Sequence, residues 1–303
     1  MRIMVTGAKG QVGWELTRSL AALGEVLPHD RARADLSQPH TLKAVVAAAK
    51  PDVLVNAAAY TAVDKAEEDE AGARAVNAEA VGVLAEAARE AGALFVHYST
   101  DYVFDGTKPR PYLETDAPNP LGVYGATKLE GERAVAAAGG DWLVFRTSWV
   151  YGPRGRNFLR TMLRLAAQRE TLNVVSDQTG APTSARAIAQ WSAHAIRQAM
   201  AERASSTFEQ GLFHLTAEGS TSWHGFASRI VEAARRALGD EAIRARSVEP
   251  IATAQYPTPA RRPANSVLDN TAFERRFGLW RQPWDAAMED ILDDVFERMR
   301  DPG

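Results

Sequence analysis

Five short apolar runs punctuate the first half of the chain: Ile3-Met4-Val5, Val26-Leu27, Val53-Leu54-Val55, Leu94-Phe95-Val96 and Leu143-Val144-Phe145. Residues 11–23, 39–49, 70–91 and 124–138 lie between them, each stretch long enough for several helical turns. Nearly continuous apolar strands separated by helices predict a parallel sheet covered on both faces. Right-handed crossovers then bring the strand carboxyl ends to one edge, where ligands bind. The polar residues that follow the runs fit this rule: Thr6-Gly7, Asp30, Asn56, Ser99-Thr100-Asp101 and Arg146-Thr147-Ser148.

Beyond Tyr151 the rhythm loosens. Residues 157–168 and 184–202 predict helices with a short strand at 172–175 between them, and Phe213-His214-Leu215 predicts another strand before a helix at 223–238. Residues 250–266, rich in proline, threonine and arginine, read as an ordered loop, and 285–300 as a final amphipathic helix with an acidic face. The expected fold class is α/β, a Rossmann-type doubly wound parallel sheet with a smaller mixed α/β substrate-binding domain. The expected division is residues 1–150 for the dinucleotide-binding unit and 151–303 mainly for substrate, with segments returning to the first.

The first run leads straight into Gly7, Gly10 and Gly13, a Gly-x-x-Gly-x-x-Gly turn. Such glycines permit a tight turn, a close approach to pyrophosphate and close helix–strand packing, and the helix from Gln11 and Val12 then points its amides at the phosphates. A glycine-containing turn without chemistry is the bland alternative, which placement directly after a strand disfavours. Asp30 closes the second run, where an acidic residue hydrogen-bonds the adenosine ribose and favours NADH. His29, Arg31 and Arg33 flank it, and an arginine there suits the 2′-phosphate of NADPH, so both cofactors stay open. Asp35-Leu36 is placed beside the adenine, or Asp35 caps the following helix. The small residues of Asn56-Ala57-Ala58-Ala59-Tyr60-Thr61 let backbone lie close to a ligand, or pack strand tightly on helix.

Tyr124 and Lys128 share one helical face at a spacing of four, and Thr100 ends the fourth run. An ammonium near a phenol lowers its pKa from the free value of about 10, which makes the pair a proton-transfer device. Thr100 adds a hydroxyl that stabilises negative charge growing on a carbonyl oxygen. Tyr-x-x-x-Lys by itself arises often by chance on amphipathic helices; the glycine turn and the strand-end threonine in the same chain are what raise it.

Composition narrows the alternatives. The apolar fraction of 46% supports a globular core, while a net charge of -3 provides no basic field for nucleic acid or anionic lipid. With no cysteine there is neither a disulfide frame nor a thiol nucleophile, and no apolar run approaches the roughly 18 residues that span a bilayer. The N-terminus lacks a secretory pattern, so a cytoplasmic enzyme is expected. No His/Asp/Glu spacing signals a transition metal; Mg2+ on surface carboxylates stays open without a motif, as does a homodimer.

Longer blocks carry a resemblance. They include Asn56-Ala57-Ala58-Ala59, Thr61-Ala62-Val63-Asp64-Lys65-Ala66-Glu67, Ser99-Thr100-Asp101-Tyr102-Val103-Phe104, Val123-Tyr124-Gly125 and Thr127-Lys128. Arg146-Thr147-Ser148-Trp149-Val150-Tyr151, Asp177-Gln178, Gly180-Ala181-Pro182-Thr183 and Tyr256-Pro257-Thr258-Pro259 continue the series. Over nearly its whole length the chain resembles the extended short-chain dehydrogenase/reductase family, closely its nucleotide-sugar reductases. The resemblance implies reduction of dTDP-4-dehydro-L-rhamnose at its 4-keto carbon by NADPH or NADH, with the dTDP-sugar as its small-molecule partner. It also implies Tyr124 as proton donor tuned by Lys128 and Thr100, and cofactor positions at Gly10, Gln11, Val12, Asp30, Asp35, Leu36, Ala59, Tyr60 and Thr61. Thr100, Asp101 and Trp149 fall on substrate positions. Tyr60 stands where some members carry histidine.

Related dehydratases carry Asp-Glu after the active-site threonine; here Asp101-Tyr102 follows Thr100, which disfavours elimination. A 4-epimerase would use the same hydride chemistry, and a non-catalytic dinucleotide-binding subunit would be expected to lose sugar-site residues that this chain retains. Trp149 is read as a stacking platform or a core aromatic, and Asn157 as a sugar contact or a helix cap. Arg261 and Arg262 are read as a diphosphate clamp or as solvated arginines, His97 as a satisfied core residue, and the run Asp64, Glu67, Glu68, Asp69, Glu70 as a solvated helix face.

Overall fold

The computed structural model describes residues 1–300. The apolar runs form β1 (Arg2–Thr6), β2 (Glu25–His29), β3 (Val53–Asn56), β4 (Leu94–Thr100) and β5 (Trp142–Thr147). A sixth strand, Gly211–His214, pairs with β5, so the parallel sheet runs Gly211–His214, β5, β4, β3, β1, β2. The order reverses between β1 and β3, which opens a crevice at their carboxyl ends.

Alternate residues of each strand feed opposite faces, and both faces are covered. Ile3, Val5, Val53, Val55, Leu94 and Val96 pack under Leu16, Leu20 and the Ala185–Ala204 helix, with Phe273 and Phe277. Met4, Leu54, Phe95 and Val144 pack on the other face against the Leu42–Ala49 and Ala80–Glu90 helices and Val135. Two-sided burial is why the runs read as continuous rather than alternating.

A further core gathers Tyr151, Leu159, Leu163, Phe226, Ile230, Ile291 and Leu292. It joins the Phe158–Gln168, Trp223–Leu238 and Trp284–Arg300 helices to a parallel pair, Thr171–Val175 with Ser247–Ile251. The second of those strands falls partly in the stretch expected to be a loop. Its residues are exposed or half-buried and include Pro250, so it carries neither alternation nor a clean apolar run.

The stretch expected as one helix at 70–91 is three pieces: Glu70–Arg74, a π turn at Ala75–Glu79, and Ala80–Glu90. Asn77 sits in the π turn and is fully buried. No helix among the described residues is long and apolar enough to cross a membrane.

Candidate active site

A cleft of about 960 Å³ opens at the carboxyl ends of β1, β3, β4 and β5. Gly7, at φ +66°, forms its floor; a Cβ there would stand 2.7 Å from the Ala58 amide nitrogen. Gly13 lies outside the lining, where a Cβ would meet the Gly7 carbonyl oxygen at 2.1 Å, so its role is close helix–strand contact. Gly10 is the N-cap of the Gln11–Ser19 helix, without a side-chain cap or an acidic residue in the first turn. Amides and the positive end of the helix dipole therefore face the cleft beside Lys9, Gln11 and Val12, an arrangement suited to a pyrophosphate.

Asp30 directly follows β2, beside the glycine turn. It is ion-paired with Lys9 at 2.5 Å, accepts a hydrogen bond from the Ala32 amide, and is absent from the cleft lining. Arg31, Ala34, Asp35, Leu36 and Ser37 line this end instead. Asp35 accepts from the Ser37 hydroxyl and amide, which with a weaker contribution from the paired Arg31 hold its carboxyl below the usual range. It caps no helix, since Gln38 precedes the turn at Pro39–Thr41.

Ala59, Tyr60 and Thr61 line the middle of the cleft. Asn77 holds this segment: its Oδ1 accepts from the Tyr60 amide at 2.9 Å, and its Nδ2 donates to the Tyr60 carbonyl and the Thr127 hydroxyl. The Tyr60 hydroxyl donates to Asp69. Within the acidic run, Glu67 accepts from the Val123 amide at the start of the Val123–Ala138 helix, and Asp64 pairs with Arg262 at 2.8 Å. The run is largely exposed, as expected of a solvated face, yet Asp64 and Glu67 also act as anchors, and Arg262 is committed to Asp64 and the Ala260 carbonyl instead of clamping a diphosphate.

Thr100, Asp101, Tyr124 and Lys128 all border the cleft. The Thr100 hydroxyl donates to Asp101 Oδ1 at 3.0 Å and accepts from the Tyr102 amide. Burial pushes the Asp101 carboxyl up to about 7. Burial also pushes the Tyr124 phenol up to about 12, and the Thr100 hydroxyl draws it part of the way back. The expected lowering of the phenol by Lys128 is not what this geometry gives. The Lys128 amine donates to the Tyr98 carbonyl at 2.6 Å and faces His97 Nε2 at 3.3 Å, and burial lowers it to about 8. Buried oxygens at the cleft wall, Ser99 Oγ, Asp101 Oδ2 and Thr147 Oγ1, have no hydrogen-bond partner, which marks them as groups a bound ligand can satisfy.

At the far end Trp149, with φ +46°, stacks on Trp223. Asn157 is the N-cap of the Phe158–Gln168 helix and donates to Gln11 Oε1 at 2.8 Å, tying the 152–157 loop to the glycine-turn helix. Among the described residues no group of three or more His, Asp or Glu is arranged to hold a metal ion.

Comparison with known proteins agrees with this architecture. The family model described as RmlD substrate binding domain matches residues 1–297. The chain belongs to this family. It is 59% identical to a dTDP-4-dehydrorhamnose reductase of Burkholderia thailandensis, over 96% of this chain and 99% of that one. Among solved structures, the dTDP-4-dehydrorhamnose reductase of Clostridium acetobutylicum superposes with a TM-score of 0.86 at 38% identity, covering 97% of this chain and 99% of that one. The enzyme of that name from Bacillus anthracis, solved in complex with NADP, gives 0.85 at 32% identity, again covering 97% and 99%.

Residues of this RmlD-family site that sequence reasoning passed over are Lys9, Asn77 and Trp223. Each acts through a contact made only in three dimensions, although a π turn at Asn77 is itself a mark of functional geometry.

Proposed function

We propose that the chain reduces dTDP-4-dehydro-L-rhamnose at its 4-keto carbon to dTDP-L-rhamnose, with NADPH or NADH as reductant. Support comes from one convergence: Tyr124 and Thr100 border the same cleft as an uncapped helix N-terminus. The names and full-length coverage of the relatives point the same way. Gly10, Gln11 and Val12 would hold the pyrophosphate, Asp35 and Leu36 the adenosine, and Ala59, Tyr60 and Thr61 the middle of the cofactor. When bound, the reduced nicotinamide supplies a hydride to the keto carbon.

Tyr124 then gives its phenolic proton to the oxygen on which negative charge develops. Burial suits it to this task, because a phenol held near 12 keeps its proton until a strong base forms beside it. The Thr100 hydroxyl, turned from Asp101 to the substrate, donates to the same oxygen, and Asp101 and Trp149 position the sugar. Residues 1–150 form the nucleotide unit and 151–303 mainly the sugar unit, with Gly211–His214 returning to the first; the last three residues lie outside those described.

The test follows loss of nicotinamide absorbance when the dTDP-4-keto sugar is added with either reduced cofactor. Tyr124→Phe is expected to lower turnover by about 10²–10⁴-fold while cofactor affinity holds. Undiminished turnover in that variant removes Tyr124 as the acid.

A further inference from the structure

Four buried side chains form a line under the cleft: Thr6 on β1, Asn56 on β3, His97 on β4 and Lys128 on the Val123–Ala138 helix. Asn56 Oδ1 accepts from the Thr6 hydroxyl at 2.6 Å and from the Ala58 amide at 3.3 Å. A backbone N–H only donates, so the Asn56 amide has one orientation, with Nδ2 toward His97 Nδ1 at 3.1 Å. That nitrogen must therefore accept. A neutral imidazole that accepts at Nδ1 carries its proton at Nε2, and Nε2 faces the Lys128 amine at 3.3 Å.

We propose that Asn56 and His97 are positioning residues for Lys128, presenting an imidazole N–H to its amine and so favouring the neutral amine over the ammonium. An ammonium, with donors only, would meet a second donor there, whereas a neutral amine accepts from it and still donates to the Tyr98 carbonyl. Burial acts in the same direction on both groups: with the Lys128 charge it holds His97 well below its usual pKa, against a hydrogen bond with the Asn56 backbone that raises it, and it lowers Lys128 to about 8.

The surrounding charges do not reverse this. Glu132, on the next turn of the same helix, raises Lys128, but its carboxylate is committed to Arg146 of β5 through hydrogen bonds of 2.8 and 2.6 Å. Asp101 beyond β4 is itself pushed toward the neutral form, and Tyr124 stays a phenol. The phenol of Tyr98 points away, to Ser192. The contribution to turnover rests on the proposed reductase function; the tautomer does not.

Two measurements test the proposal. Long-range proton–nitrogen spectra of the ligand-free protein labelled with nitrogen-15 histidine are expected to show one imidazole, assigned by its loss in His97→Phe, that stays neutral with its proton on Nε2 from mildly acidic to mildly alkaline pH. A proton on Nδ1, or titration like an ordinary histidine, overturns it, whether or not the protein turns over any sugar. The second measurement is the pH profile of kcat/KM in His97→Phe, which keeps the ring beside Phe95 and removes the N–H. Losing that donor favours the ammonium, so the alkaline limb set by Lys128, whose amine burial lowers to about 8, is expected to move to higher pH. Lower activity with an unmoved limb means His97 only fills space and overturns the tuning role. If that variant does not fold, the wild-type spectra, assigned with His97→Gln, still decide.

Discussion

Trp149 lies flat on Trp223, with ring centroids 3.5 Å apart and planes within 6°. Neither ring is held by the stack alone. Trp149 occupies a left-handed backbone conformation, Gly180 leaves room beside its indole, and Trp223 Nε1 donates to Gln178 at 3.2 Å. Since both rings line the cleft, Trp223 supports the face on which a sugar or base would stack. An aromatic pair contributes about 0.5–1.5 kcal/mol beyond its buried area. Trp223→Ala is therefore expected to raise KM for the sugar nucleotide by about 2- to 10-fold with a smaller change in kcat. Steady-state kinetics at saturating cofactor checks this; an altered cofactor affinity with unchanged sugar KM would contradict it.

The Lys9–Asp30 pair gives a test of cofactor choice. Removing the carboxylate in Asp30→Ala releases an ammonium whose side chain is otherwise mostly exposed. A free cation near the adenosine end favours the 2′-phosphate, so the ratio of kcat/KM for NADPH over NADH is expected to rise, roughly tenfold if one charge-assisted hydrogen bond is gained. An unchanged ratio would mean that Lys9 does not reach that phosphate.

Asp101 should make the ligand-free protein less stable as pH rises. Its folded pKa, about 7, lies above the unfolded value, so between roughly 4 and 7 the native state binds more protons than the unfolded one. Stability then falls across that window, and the loss is complete above it. Asp101→Asn is expected to flatten this dependence and to stabilise the protein at mildly alkaline pH by on the order of 3 kcal/mol. Denaturant titrations at several pH values measure both effects.

The buried Glu132–Arg146 pair supports β5 from the Val123–Ala138 helix, both side chains being almost fully enclosed. Glu132→Ala leaves a guanidinium without its partner in a dry interior and is expected to cost about 3–5 kcal/mol. Replacing both residues by apolar ones, Glu132→Leu with Arg146→Met, should recover most of that loss. Chemical denaturation of the single and double variants distinguishes a charge effect from a packing effect.

Much of the architecture was legible because its signals are local. Ile3-Met4-Val5 and Val53-Leu54-Val55 could be recognised as strands since each is buried on both faces, and Gly7 and Gly10 since a tight turn after a strand restricts residue choice. Tyr124 and Lys128 follow from helix geometry alone. Ser247–Ile251 was not legible, since an exposed edge pair with a proline has no hydrophobic period. Nor was Asp30's pairing with Lys9, which depends on how the glycine turn folds over the end of β2.

The order of strands and helices, the glycine turn and the spacing of Tyr124 from Lys128 belong to the sequence by itself, because periodicity and steric limits act over a few residues. Tertiary structure alone decided where each polar group finds its partner. Asn77 reaches Tyr60 and Thr127, Glu67 the amide of Val123, and Arg262 Asp64. It also turned Lys128 toward His97 and the Tyr98 carbonyl. Hydrogen bonds and desolvation depend on which atoms are brought within about 3 Å of one another and shut away from water, and a linear pattern of residue types carries no such distances.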